Sequence, residues 1–82
     1  MNKDEETRVT IQARLKILHK SLVSEENSVQ YYQTLLENTP EESEENIGQR
    51  RMYEDLQREE KNHVKVIQGM IQHWEDQLEK SK

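Results

Sequence analysis

Three residues have the type and spacing to hold a metal ion: Glu25, Glu60 and His63. Glu60 and His63 are three apart, so a helix projects both from one face. Carboxylates with one imidazole form an oxygen-and-nitrogen donor set that suits Fe or Mn, and that Zn can also occupy. Glu-x-x-His alone is a weak signal. Glutamate fills 14 of the 82 positions, so three histidines have about an even chance of one such match. His19 is preceded at that spacing by Lys16 and His73 by Met70, and neither reads as a ligand. The weight therefore falls on where the three residues lie in the apolar pattern.

Apolar residues follow the alternating three-and-four spacing of a helical seam. The first series is Ile11, Leu15, Leu18, Leu22, Glu25, Val29, Tyr32 and Leu36; the second is Tyr53, Leu56, Glu60, His63, Ile67, Met70 and Trp74. Only Glu25, Glu60 and His63 bring a carboxylate or imidazole onto these seams, and every other glutamate in the two stretches lies off them. A carboxylate placed in a bundle core costs several kcal/mol unless it is paired or coordinates a metal. Tyr53 and Trp74 read as core aromatics. Val64, Ile71 and Leu78 add a column beside the second seam, and a face that wide suits a four-helix bundle better than a two-stranded coil.

Two helices and one turn must position these residues. The chain has 82 residues, two glycines, one proline and no cysteine; 30% are hydrophobic, 35% charged, and the net charge is −5. Val, Ile and Leu number only 17, near the level at which chains stay disordered, yet helix breakers are almost absent. Long helices with narrow apolar stripes reconcile the two. The first is expected over about 5–37, and a turn or loop over about 38–45. The second begins at about 40 or about 46 and runs to about 79. In the earlier case Thr39 caps it, with Pro40 at its first position and Glu42 completing a capping box. In that case Glu25 and Glu60 of one chain are offset by ~10 Å at ~1.5 Å per residue. A start near 46, capped by Ser43 or Asn46, levels them. Residues 1–82 thus read as one all-α domain, an antiparallel hairpin with helices each spanning ~50 Å.

The same arithmetic narrows the function classes. Without cysteine there are no disulfides, thiol catalysis or Cys-type zinc sites, and a reducing, cytoplasmic setting is expected. No apolar run is long enough for a membrane span. The negative charge argues against nucleic acid as a partner, and Gly48 and Gly69 are too isolated to build a phosphate loop. The acidic cluster at Glu41, Glu42, Glu44 and Glu45 reads as a solvated helix start, or as a means of attracting cations. One hairpin supplies two helices, so a homodimer completes the bundle and brings together two copies each of Glu25, Glu60 and His63. Its four carboxylates match two divalent cations. Two-metal carboxylate bundles take a Glu from each of two helices and Glu-x-x-His from each of the others.

These residues resemble the ferritin-like superfamily, in its rubrerythrin branch and the related encapsulated ferritins. Glu25, Ser28 and Tyr32 are similar to the family's Glu, small residue and Tyr on one helix, and Glu60-Lys61-Asn62-His63 to its Glu-x-x-His on the next. Glu26, with Val29 and Gln33 at the same offsets, matches less well. Tyr53 and Leu56 are similar to the apolar residues that precede the second Glu, so the resemblance covers roughly residues 15 to 75. This chain has one motif copy where ordinary ferritin-like bundles have two, which resembles the encapsulated ferritins with a di-iron centre across the subunit interface.

The resemblance implies ferroxidase chemistry in iron storage or detoxification, with two Fe per dimer oxidised by O2. Glu60 would bridge the metals, Glu25 would be a terminal ligand, and His63 would supply an imidazole nitrogen. Tyr32 would orient a ligating carboxylate, or be an ordinary core tyrosine. An encapsulin-type shell is a further partner the resemblance allows, although the family's C-terminal targeting extension is not read after Glu79-Lys80-Ser81-Lys82. The other reading is a metal-free helical hairpin for assembly, with Glu25, Glu60 and His63 as a buried register-setting cluster. Ile17 and Tyr31 lie off the first seam, as scattered surface residues or as a second assembly contact.

Overall fold

The computed structural model describes residues 7–81, which form two α-helices joined by a short turn, with no strand among the described residues. Helix α1 spans Arg8–Asn38 and helix α2 spans Glu44–Lys80. They pack antiparallel along their length into a rod of 63 × 17 × 16 Å. Among the described residues no helix is long and apolar enough to cross a membrane.

Local chemistry places the helix ends. Thr7 caps α1, its Oγ1 accepting from the Thr10 N–H at 3.2 Å; the expected first positions, residues 5 and 6, lie outside the described residues. The turn departs from the Thr39-capped alternative. Thr39 closes α1 instead: its N–H donates to Leu36 O at 3.3 Å and its Oγ1 donates to Leu35 O at 2.8 Å. Those bonds satisfy carbonyls that the end of a helix leaves orphaned. Ser43 then caps α2, accepting from the Asn46 N–H at 3.1 Å, with Glu44 and Glu45 in the favourable first turn. The second helix thus starts between the two expected positions, and Pro40 lies in the turn.

Arg50 locks this junction. Its Nη1 donates to Leu36 O and, at 2.7 Å, to Thr39 O, while its Nε stands 3.2 Å from Glu41. One guanidinium therefore holds the end of α1, the turn and α2 together.

The core is thin. Among the described residues only Ile11, Leu36 and Ile71 are buried apolar side chains, and Gln57 is a buried polar one. The rest of the first seam is half-buried, as expected. The second seam is met in part. Tyr53, Leu56, Glu60, Ile67 and Trp74 are half-buried as expected, but His63 and Met70 are exposed. The neighbouring column, with Gln57 and Ile71 buried and Val64 and Leu78 half-buried, turns to α1 in their place. Met70, placed on the seam by spacing, is 48% exposed. Adjacent helical columns differ by a fraction of a turn, and two helices bury a narrower stripe than four. Ile17 and Tyr31 are 65% and 60% exposed, which leaves them on the outer surface of the hairpin.

Candidate metal centre

Midway along the hairpin the two helices bring Glu25, Glu60 and His63 together. One ligand atom from each lies within 4.8 Å of the others. His63 Nδ1 stands 3.6 Å from Glu25 Oε2 and 3.7 Å from Glu60 Oε2. Glu60 and His63 meet because they are one turn apart on α2; Glu25 of α1 lies level with them in a hairpin whose turn is fixed by the Ser43 cap and the Arg50 clamp.

Burial and charge make this a strained arrangement for acids. The side chains of Glu25 and Glu60 are 29% and 23% exposed. Glu25 Oε2 is fully buried and has no hydrogen-bond partner, a state that costs desolvation with no return. The Glu60 carboxyl is held above its ordinary value of 4.5, first because the facing Glu25 carboxyl favours a proton shared between the two acids, then by desolvation and by the Glu25 charge. His63 pulls the other way, too weakly to offset them.

The donor set fits a divalent cation. Two carboxylates and one imidazole offer the hard-oxygen and nitrogen ligands that Fe and Mn take, and Zn accepts the same set. A cation would give the orphaned Glu25 oxygen its partner and cancel the carboxylate repulsion. Within one hairpin, however, the three do not sit in a closed core. His63 is 58% exposed, because it lies on the edge of α2 beside the column that faces α1. Its edge continues as an apolar flank, where Arg14, Ile17, Leu18, Met70 and Trp74 line a groove. Arg14 lies 4.7 Å over the Trp74 ring there.

The other sequence-marked residues are placed differently. Tyr32 is half-buried and packs edge-on against Tyr31 with ring centroids 5.4 Å apart. Among the described residues its hydroxyl makes no hydrogen bond to Glu25 or Glu60. Ser28 Oγ donates back to Ser24 O at 3.2 Å, within its own helix. Gln57 lies off both expected seams. It is 8% exposed, and its Nε2 donates to Val29 O at 3.2 Å and Gln33 Oε1 at 3.0 Å. Extending the Val64–Ile71–Leu78 column back by sevens would have reached both Gln57 and Arg50. No protein-family model, curated protein or solved structure matches this chain.

Proposed function

We propose that this chain is an iron-binding, ferritin-like protein in which two hairpins pair into a four-helix bundle around an intersubunit di-iron carboxylate centre of ferroxidase type. The observation that carries this reading is the convergence of Glu25, Glu60 and His63 to within 4.8 Å, with a buried Glu25 oxygen that lacks a partner. Fe(II) is the substrate of such a centre and O2 its oxidant, as part of iron storage or detoxification. Glu25, Glu60 and His63 would hold the metals, Glu60 in the bridging role and Glu25 in the terminal role that the resemblance implies, with His63 supplying an imidazole nitrogen. A cation competes with the proton for the Glu60 carboxylate.

The second copy follows from the site's open side. His63 is exposed, and Met70, one heptad further along the same edge, is 48% exposed. A second hairpin laid on this flank covers both residues and the groove beside them. It also doubles the ligand set to the pattern of two-metal bundles.

Anaerobic addition of Fe(II) to the purified protein tests the proposal, with bound metal and assembly mass both measured. About one metal per chain is expected, lost in Glu60→Ala and in His63→Ala. Admission of O2 should then give the Fe(III) absorbance rise in the wild type alone. Binding no greater than that of a control with surface glutamates overturns the reading. The exposed apolar flank also supports a second reading, a metal-free module that assembles through it, with the Glu25–Glu60–His63 cluster setting register. In that case assembly occurs with no effect of metal.

A further inference from the structure

Three side chains each donate to a main-chain carbonyl of the opposite helix. Arg50 reaches Leu36 O, Gln57 reaches Val29 O at 3.2 Å, and Arg8 reaches Leu78 O at 3.2 Å. The α1 positions step back by seven from 36 to 29 and, three sevens on, to 8. The α2 positions step forward by seven from 50 to 57 and, three sevens on, to 78. The steps between fall on Leu22 and Leu15 in α1 and on Val64 and Ile71 in α2. A single antiparallel register satisfies all three bonds.

Apolar residues repeating every seven hold such a register weakly, because a slipped helix meets equivalent neighbours. A buried amide behaves differently. Displaced by one turn, its N–H loses its acceptor and stays desolvated. Gln57 is the only buried residue of the three donors and the nearest to the cluster. It precedes Glu60 by about one turn of α2, and its acceptors Val29 and Gln33 follow Glu25 by about one and two turns of α1.

We propose that Gln57 is the positioning residue of the Glu25–Glu60–His63 centre, its amide locking the axial register in which carboxylates from the two helices meet. The register claim stands on the hydrogen bonds; its consequence for metal rests on the proposed function. Gln57→Leu keeps the volume and removes the donor. The chain has no cysteine, so spin labels on Gln12→Cys and Glu54→Cys, exposed positions on different helices, report the register. Labelled chains are diluted into unlabelled ones, so that distances within one chain are read.

A narrow distance distribution is expected in the otherwise unaltered protein. In Gln57→Leu it should move or broaden by on the order of 5 Å, one helical turn. Co(II) affinity should fall at least ~10-fold while the melting temperature is held or raised. An unchanged distance distribution overturns the proposal, as does unchanged Co(II) affinity in a hairpin whose register has moved. If the unaltered protein binds no Co(II), the metal reading falls, and the spin-label distances alone decide the register. Should Gln57→Leu lose its helical circular dichroism, Gln57→Met, which keeps an unbranched side chain and removes the amide donor, is judged by the same two readouts.

Discussion

Nδ1 of His63 in α2 stands 3.6 Å from Oε2 of Glu25 in α1, the same carboxylate oxygen that is buried without a hydrogen-bond partner. An imidazole and a carboxylate from opposite helices thus converge beside a second carboxylate, Glu60, 3.7 Å from the same nitrogen. The protein's predicted behaviour with metal, pH and partner follows from that meeting.

Replacing Glu25 should move stability and metal binding in opposite directions. Glu25→Gln keeps the side-chain shape and removes the charge that disfavours ionised Glu60. The metal-free protein is expected to gain up to about 1 kcal/mol. Divalent metal affinity should fall by at least ~100-fold, as for loss of a ligand rather than of its support. Chemical denaturation without metal and Co(II) titration measure the two; a parallel change in both contradicts the site.

The raised Glu60 value fixes the sign of a pH effect. A carboxyl whose value is higher in the folded than in the unfolded chain binds its proton more tightly when folded. Its ionisation therefore penalises folding at neutral pH, and the penalty is relieved as pH falls through the raised value, completely so below 4.5. The wild type without metal should gain stability relative to Glu60→Gln over that interval. Metal affinity should weaken over the same interval, since the cation must displace the proton. Melting curves of the two proteins at matched pH, and metal titrations of the wild type, give the comparison.

The turn should be sensitive to Arg50 far more than to its acidic neighbours. Arg50→Met leaves Leu36 O and Thr39 O without their cross-helix donor, at an expected cost of about 1–3 kcal/mol. Ser43→Ala removes the α2 cap and should cost ~1 kcal/mol. Glu41→Gln removes only an exposed ion-pair partner and should cost under ~1 kcal/mol. Urea denaturation orders the three.

Core and flank substitutions should separate folding from assembly. Ile71→Ala, at a position 7% exposed, is expected to destabilise by about 2–5 kcal/mol. Met70→Lys, at a position 48% exposed, should change the stability of one hairpin by less than ~0.5 kcal/mol. On the proposed pairing it should still halve the assembly mass, because a charge would enter the flank that a second copy would cover. Trp74, the only tryptophan, lines the same groove. Its emission should shift to the blue with concentration in the wild type but not in Met70→Lys.

The helices and the approximate turn were legible in the sequence because their causes are local. A long run without proline or glycine stays helical, Pro40 interrupts it, and Ser43 offers a cap oxygen at the right distance from Asn46. The candidate site was legible because seven-residue periodicity groups Glu25, Glu60 and His63 with the apolar residues whatever the helices pack against. Periodicity locates a stripe only to within neighbouring columns. Which column of α2 turns inward was settled by packing against a single partner helix, which buries Gln57 and Ile71 and leaves His63 and Met70 at the edge. The axial register was likewise a tertiary matter. Repeating Leu, Ile and Val tolerate several alignments, whereas the Arg50, Gln57 and Arg8 bonds to opposite carbonyls are all made in one. That alignment is what brings two carboxylates distant in sequence onto one imidazole.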